Sequence, residues 1–275
     1  MEHVLNYAIN HTVAPNKSIT ELIALAKTLE LDAIELRNDL PGVSITDTTP
    51  ELVRKEADAA GVHILSINAL QRFNDWNDAR AAEARTLAAH ARDCGAEMLV
   101  LCPVNEAGFM PSETDRSNAL RGALRGLTPI LEKADVLGVI EPLGFETSSL
   151  RFKSEAVEAI EDVEGNDRFR IAHDTFHHYL VGEPHLLPDW TALVHLSGVD
   201  VEMPLADLRD PHRTLIDAAD QLGNLAQIYA LLSGGYGGPF SFEPFSASIQ
   251  NSDDIVADLQ RSMHFIDADL AKLEI

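Results

Sequence analysis

Short apolar runs alternate with helix-period stripes along the whole chain. Residues 4–10, 33–37, 62–68, 98–103, 138–143, 169–174, 193–197 and 240–245 read as strands. They are continuous and rich in Val, Ile, Leu and Phe, as parallel strands are when helices cover the sheet. The segments between them carry helix signals. Ser18 and Glu21 form a capping box, a hydroxyl at the N-cap with a carboxylate three residues on. Leu120, Leu124, Leu127 and Leu131 make a stripe at helical spacing. Ile255, Leu259, Met263, Ile266, Leu270 and Leu273 repeat it after Ser252-Asp253-Asp254. Helices also fit residues 51–60, 78–94, 153–162 and 224–233. Between the sixth and seventh strands, Pro184 and Pro188 bracket at most a short helix.

Eight strand–helix units without a composition break predict one α/β domain, a single (β/α)₈ barrel over residues 1–275. An open doubly wound sheet is the alternative, and it would gather its ligand groups at one switch point. Here polar residues end nearly every strand: Asn10, Arg37, Asn68, Glu141, Asp174, His195 and Glu243. A ring of such groups is what the C-terminal mouth of a barrel carries.

Composition narrows the partners. The formal net charge of −23 gives a surface that repels phosphate backbones and anionic lipid, so no nucleic acid or membrane partner is expected. It also disfavours a highly phosphorylated substrate. The first residues have no basic segment followed by an apolar one, no run reaches membrane-helix length, and the two cysteines, Cys94 and Cys102, do not form a disulfide framework. A reduced, cytoplasmic protein is expected, and nothing in the sequence opposes a homo-oligomer.

Four of the strand-end residues carry chemistry. Glu141, Asp174, His195 and Glu243 each close an apolar run on successive strands. A buried carboxylate is costly unless paired or metal-bound. Singly, each acid could cap the following helix, but Glu is a poor N-cap and Pro142 and Pro244 follow the two glutamates directly. Three carboxylates and one imidazole converging on one divalent cation explain all four together.

Other motifs have two readings each. His177 and His178 follow Asp174, and one of them is expected at the mouth; His173, of opposite strand parity, should pack outward. The glycine-rich run 234–238 follows a helix and precedes a strand, so it is a helix stop rather than a phosphate loop. Trp76 is either a packed loop anchor or an apolar wall or lid for a polyol. Arg209 and Arg213 are either solvated or donors to substrate oxygens.

In their order along the chain, Ile34-Glu-Leu-Arg37, Leu65-Ser-Ile-Asn-Ala-Leu70 with Phe73-Asn74, Glu141-Pro-Leu-Gly-Phe145, Asp174-Thr-Phe-His177, His195, His212-Arg213 and Ser241-Phe-Glu-Pro-Phe245 carry a resemblance. The chain resembles the xylose-isomerase-like superfamily of sugar isomerases and epimerases, most closely its inositol-catabolism branch of 2-keto-myo-inositol isomerases. The resemblance implies a cation held by Glu141, Asp174, His195 and Glu243, with the two glutamates as the acid/base pair. It implies His177 and Arg213 at the substrate, where Arg37, Asn68 and Trp76 are further candidates. The expected cation is Mn²⁺, Mg²⁺ or Co²⁺, with Zn²⁺ compatible. The expected reaction shifts the carbonyl of a small unphosphorylated ketoinositol or related polyol by proton transfer. The rivals are a ketose 3-epimerase or an inosose dehydratase on the same metal site, and a metal- or sugar-binding barrel without turnover. An abasic-site endonuclease would need a multi-metal site and a basic face, which the net charge opposes.

Overall fold

The computed structural model describes residues 5–40, 48–109 and 111–273, so Val4 of the first expected strand lies outside the described residues. The same holds for the side chain of Leu273 at the end of the last stripe. The strands are β1 (Tyr7–Asn10), β2 (Ala33–Arg37), β3 (His63–Gln71), β4 (Met98–Cys102), β5 (Leu137–Ile140), β6 (Phe169–Asp174), β7 (Thr191–Leu196) and β8 (Phe240–Phe242). They pair in sequence order, all parallel, and β8 closes onto β1 through Tyr7↔Phe240 and Ile9↔Phe242. The outer layer contains α1 (Ile19–Thr28), α2 (Pro50–Ala60), α3 (Asp78–Cys94), α4 (Glu113–Ala134), α5 (Lys153–Asp162), α6 (Thr175–Val181), α7 (Asn224–Ser233), α8 (Ala247–Gln250) and α9 (Ile255–Leu270). The expected eight-stranded barrel is the fold. None of the helices among the described residues is long and apolar enough to cross a membrane.

Two apolar layers follow from the strand period of two. Ala8, Ala33, Met98, Val100, Val139, Ala172 and Leu193 fill the barrel interior, while the larger core lies between strands and helices. Counting two residues on from the inward-facing positions gives Asn10, Glu35, Cys102, Glu141, Asp174 and His195. One further step along β2 gives Arg37. The polar mouth is therefore the apolar interior continued by one more layer.

Strand ends differ from expectation for local reasons. β5 and β8 stop before their glutamates, because Pro142 and Pro244 have no N–H to continue a ladder. Glu141 N still donates to Leu101 O at 3.1 Å and Glu243 N to Leu196 O at 2.8 Å, which fixes both at the rim. The short helix expected between Pro184 and Pro188 instead precedes them as α6. It starts directly from β6, with Asp174 Oδ1 accepting from His177 N at 2.8 Å as its cap. The N-terminus of α5 lacks a cap of its own, and Glu183 accepts from Lys153 N and Ser154 N at 3.1 and 2.9 Å.

Trp76 corrects one expectation. It is not a lid over the mouth but packs on the outer core against α4, where Gly126 makes room for the indole. A Cβ at Gly126 would lie 2.4 Å from indole Cε2 and Nε1. Gly126→Ala is therefore expected to lower the midpoint of thermal or urea unfolding by the equivalent of about 1–3 kcal/mol, with ligand affinity unchanged. An equally stable Gly126→Ala protein would disprove this packing.

Candidate metal centre and active site

Glu141, Asp174, His195 and Glu243 converge at the end of the barrel. Their ligand atoms all lie within 4.8 Å of one another, and all four residues are buried. His195 Nδ1 is 2.8 Å from Glu141 Oε1, 3.5 Å from Glu243 Oε2 and 4.0 Å from Asp174 Oδ2. One ion with bonds of about 2.0–2.4 Å bridges ligands up to about 4–5 Å apart, so the spacing fits a single divalent cation.

Charge agrees with that fit. Glu35 is also fully buried here, bringing the carboxylates to four, and they face two buried guanidinium groups, Arg37 and Arg213. The carboxylates outnumber the guanidiniums by two, and a proton on His195 offsets only one, in a desolvated site where an unbalanced charge is expensive. A divalent cation removes the excess. Burial opposes a charge on His195, yet Glu243, Glu35 and Glu141 around it push its pKa well above the ordinary imidazole value. A cation competes with that proton for the same site.

The two glutamates have different surroundings. Burial raises Glu243 to about 7, with Glu141 adding to the effect against His195, Arg213 and Arg37. Burial acts on Glu141 too, but the His195 imidazole beside it outweighs this and holds the carboxyl below its usual value. Such a separation suits one carboxyl to give a proton and the other to take one.

Arg37 Nη1 donates to Glu243 Oε1 at 2.8 Å, and its other nitrogens clamp Asp39 at 2.8 and 2.7 Å. Arg213 Nη2 bridges Asp174 Oδ2 and Glu243 Oε2 at 2.6 and 2.9 Å, and its Nε donates to Ser197 Oγ at 2.9 Å. The Arg213 guanidinium lies near Phe176 and Phe245, 5.2 and 4.7 Å from the ring centroids. Asn68 Nδ2 reaches Glu243 Oε1 at 3.3 Å. These groups line a chamber of about 480 Å³ whose wall also includes His177, Phe145 and Cys102. Arg37, Asn68, His177 and Arg213 are thus brought together as the sequence predicts, and Trp76 is not. Arg209 stays exposed and donates to the carbonyls of Ala206 and Leu208.

Two residues of the chamber wall each have a buried atom without a partner within the protein, His177 Nδ1 and Asn68 Oδ1. Such atoms are costly unless something else bonds them. His178 turns away, to Lys153 Nζ at 3.1 Å. His173 lies on the outer face, as its parity predicts, between Lys153 Nζ at 2.9 Å and Gln227 Oε1 at 2.9 Å.

Glu35 is the residue that the sequence reading passes over. The signal was present: Glu35 shares the inward face of β2 with Ala33 and Arg37. Burial would raise its pKa, but His195 and the hydrogen bonds around it bring it to about 2. Cys102 is a second addition, with Sγ 3.4 Å from Glu141 Oε2.

The sequence profile of the xylose isomerase-like TIM barrel matches residues 23–267. Among solved structures, a xylose isomerase domain-containing protein from Salmonella typhimurium LT2 is 32% identical, with a TM-score of 0.89 over 97% of this chain and 99% of that one. The IolI protein with a bound zinc atom is 17% identical, with a TM-score of 0.84 over 96% of this chain and 98% of its own. An L-ribulose 3-epimerase is 20% identical, with a TM-score of 0.68 over 98% and 93%. No curated protein sequence matches this chain significantly. With its profile match running through nearly every strand and helix, the chain belongs to the xylose isomerase-like TIM-barrel family.

Proposed function

We propose that this protein is a metal-dependent isomerase that moves the carbonyl of a ketoinositol, or a closely related unphosphorylated polyol, by one carbon. The observation that carries this reading is the buried cluster of three carboxylates and one imidazole, two of whose members, Glu141 and Glu243, open into a chamber also lined by His177 and Asn68. A divalent cation there would stabilise negative charge developing on two adjacent substrate oxygens. Mn²⁺, Mg²⁺ and Co²⁺ suit the oxygen-rich set, and Zn²⁺ is the ion named for the IolI neighbour.

The chain's own residues supply the rest. Glu141 and Glu243 enter from β5 and β8, so one can remove a proton from a hydroxyl-bearing carbon while the other returns one at the neighbouring carbon. His177 and Asn68 line the chamber and are placed to meet hydroxyl groups of the substrate. Arg37 and Arg213 hold Glu243 from two sides and keep its carboxylate plane fixed. Phe145 and Phe245 line the chamber and would border the carbon skeleton and limit water. The L-ribulose 3-epimerase neighbour supports a second reading, a ketose 3-epimerase, in which the same carboxylate pair reprotonates the other face of one carbon.

Metal analysis of the gently purified protein should find about one divalent cation per chain. Asp174→Asn and His195→Ala should each weaken binding by more than the about 10–100-fold typical of losing an outer hydrogen-bond partner. Full metal content at unchanged affinity in either variant rules out this ligand set.

Incubation with a ketoinositol in D₂O should place deuterium at the former carbonyl carbon, with partial washout to solvent. Glu141→Gln and Glu243→Gln should each lower turnover by at least about 10²–10⁴-fold. His177→Ala should raise KM at normal metal content. A dehydrated product would make the protein a lyase, retention of the carbonyl position with inversion would make it an epimerase, and binding without exchange would make it a binding barrel.

A further inference from the structure

Glu35 lies at the bottom of the site, fully buried on β2, beyond the four atoms that face the cation position. The His195 ring stands between them. Its Nδ1 faces Glu141, Glu243 and Asp174, while its Nε2 is 3.3 Å from Glu35 Oε2. Each neighbour that the structure places on the Glu35 carboxylate is a donor. Ser66 Oγ donates to Oε2 at 2.6 Å and Asn10 Nδ2 to Oε1 at 3.3 Å. An ionised carboxylate only accepts, so His195 Nε2 keeps a proton for Glu35, and a cation that displaces the Nδ1 proton facing Glu141 finds that lone pair free.

We propose that Glu35 is a positioning residue that fixes the His195 tautomer in its metal-binding form. The assignment rests on the metal centre but not on the identity of the substrate. Asn10 makes it sharper, because Asn10 cannot turn over to suit a changed partner. Its Oδ1 accepts from Thr12 N at 3.1 Å, and its Nδ2 is shared with Glu243 Oε1 at 3.3 Å.

A Glu35→Gln side chain is nearly the same shape, but its two ends differ. Its oxygen must meet the Asn10 Nδ2 donor, which turns its NH₂ toward Ser66 and His195. Ser66 can rotate its hydroxyl and accept. His195 can satisfy an NH₂ only by presenting a bare Nε2, which leaves its remaining proton on Nδ1, the atom that must bind the cation. Glu35→Asp keeps the charge and the accepting role but withdraws the carboxylate by one methylene.

The test is a Co²⁺ titration of the full-length protein without substrate, read by the visible absorption of the bound ion. Nitrogen chemical shifts report which ring atoms of His195 are protonated, in the metal-free protein and in its diamagnetic Mg²⁺ or Zn²⁺ complex. Glu35→Gln should lose about 10–100-fold in Co²⁺ affinity, and the metal-free His195 should lose its Nε2 proton and keep the one on Nδ1. Glu35→Asp should lose less and keep the Nε2 proton. The ordering Gln worse than Asp separates tautomer control from simple support of the barrel, which the shorter Asp would disturb more. If Glu35→Gln fails to fold, an unchanged Co²⁺ affinity in Glu35→Asp, or a bare Nε2 in the wild type, still overturns the assignment. Wild-type affinity in both variants overturns it too, while leaving the isomerase reading intact.

Discussion

Four carboxylates buried within one barrel mouth would drive the strand ends apart if left uncompensated. The rest of the structure is arranged around that electrostatic constraint. Arg213 reaches in from the loop after β7 and Arg37 from β2, and each contacts Glu243 from its own side. Phe176 and Phe245 flank the Arg213 guanidinium, so this charge is held by ring faces as well as by oxygens. A buried ion pair gains little net stability over an apolar pair, but removing one partner is very costly. The arrangement therefore favours a fixed geometry over raw stability, as a site that must present ligands to a cation requires.

Asp174 links this cluster to the outer layer. One of its oxygens meets Arg213 in the site and the other caps α6, so the same carboxylate sets the start of the helix that carries His177. Behind it, the buried Lys153 ammonium bonds two imidazoles, His173 and His178, and the Leu186 carbonyl. The burial of Lys153 lowers its pKa to about 8, so it is charged at neutral pH and can donate to all three. With Glu183 capping α5, these contacts tie β6, α5, α6 and the loop after α6 into one block.

Much of this was legible in the sequence because a strand repeats every two residues and a barrel has one inside. Glu141, Asp174 and His195 each stand two places after an inward-facing apolar residue, so their convergence follows from parity and strand order alone. Parity also put His173 on the outside. It was not applied to Glu35, which sits inside an apolar run rather than at its end and so gave no boundary signal. Trp76 kept two readings because loop position does not say which way a side chain turns; the pairing with Gly126 on α4 is a tertiary fact. The early ends of β5 and β8 could have been foreseen from Pro142 and Pro244, whereas the extension of β3 to Gln71 has no comparable marker.

The position of Trp76 also governs how the molecule reports on itself by light. The chain has two tryptophans, and neither borders the chamber. Trp76 sits under α4, and Trp190 lies beside the Arg170 guanidinium, 5.8 Å from its ring centroid, just before β7. Their emission follows the docking of the outer helices and the approach to β7, and it is largely blind to what fills the barrel mouth. Intrinsic fluorescence is thus a reporter of barrel integrity in this protein, and occupancy must be read from a probe placed at the mouth itself.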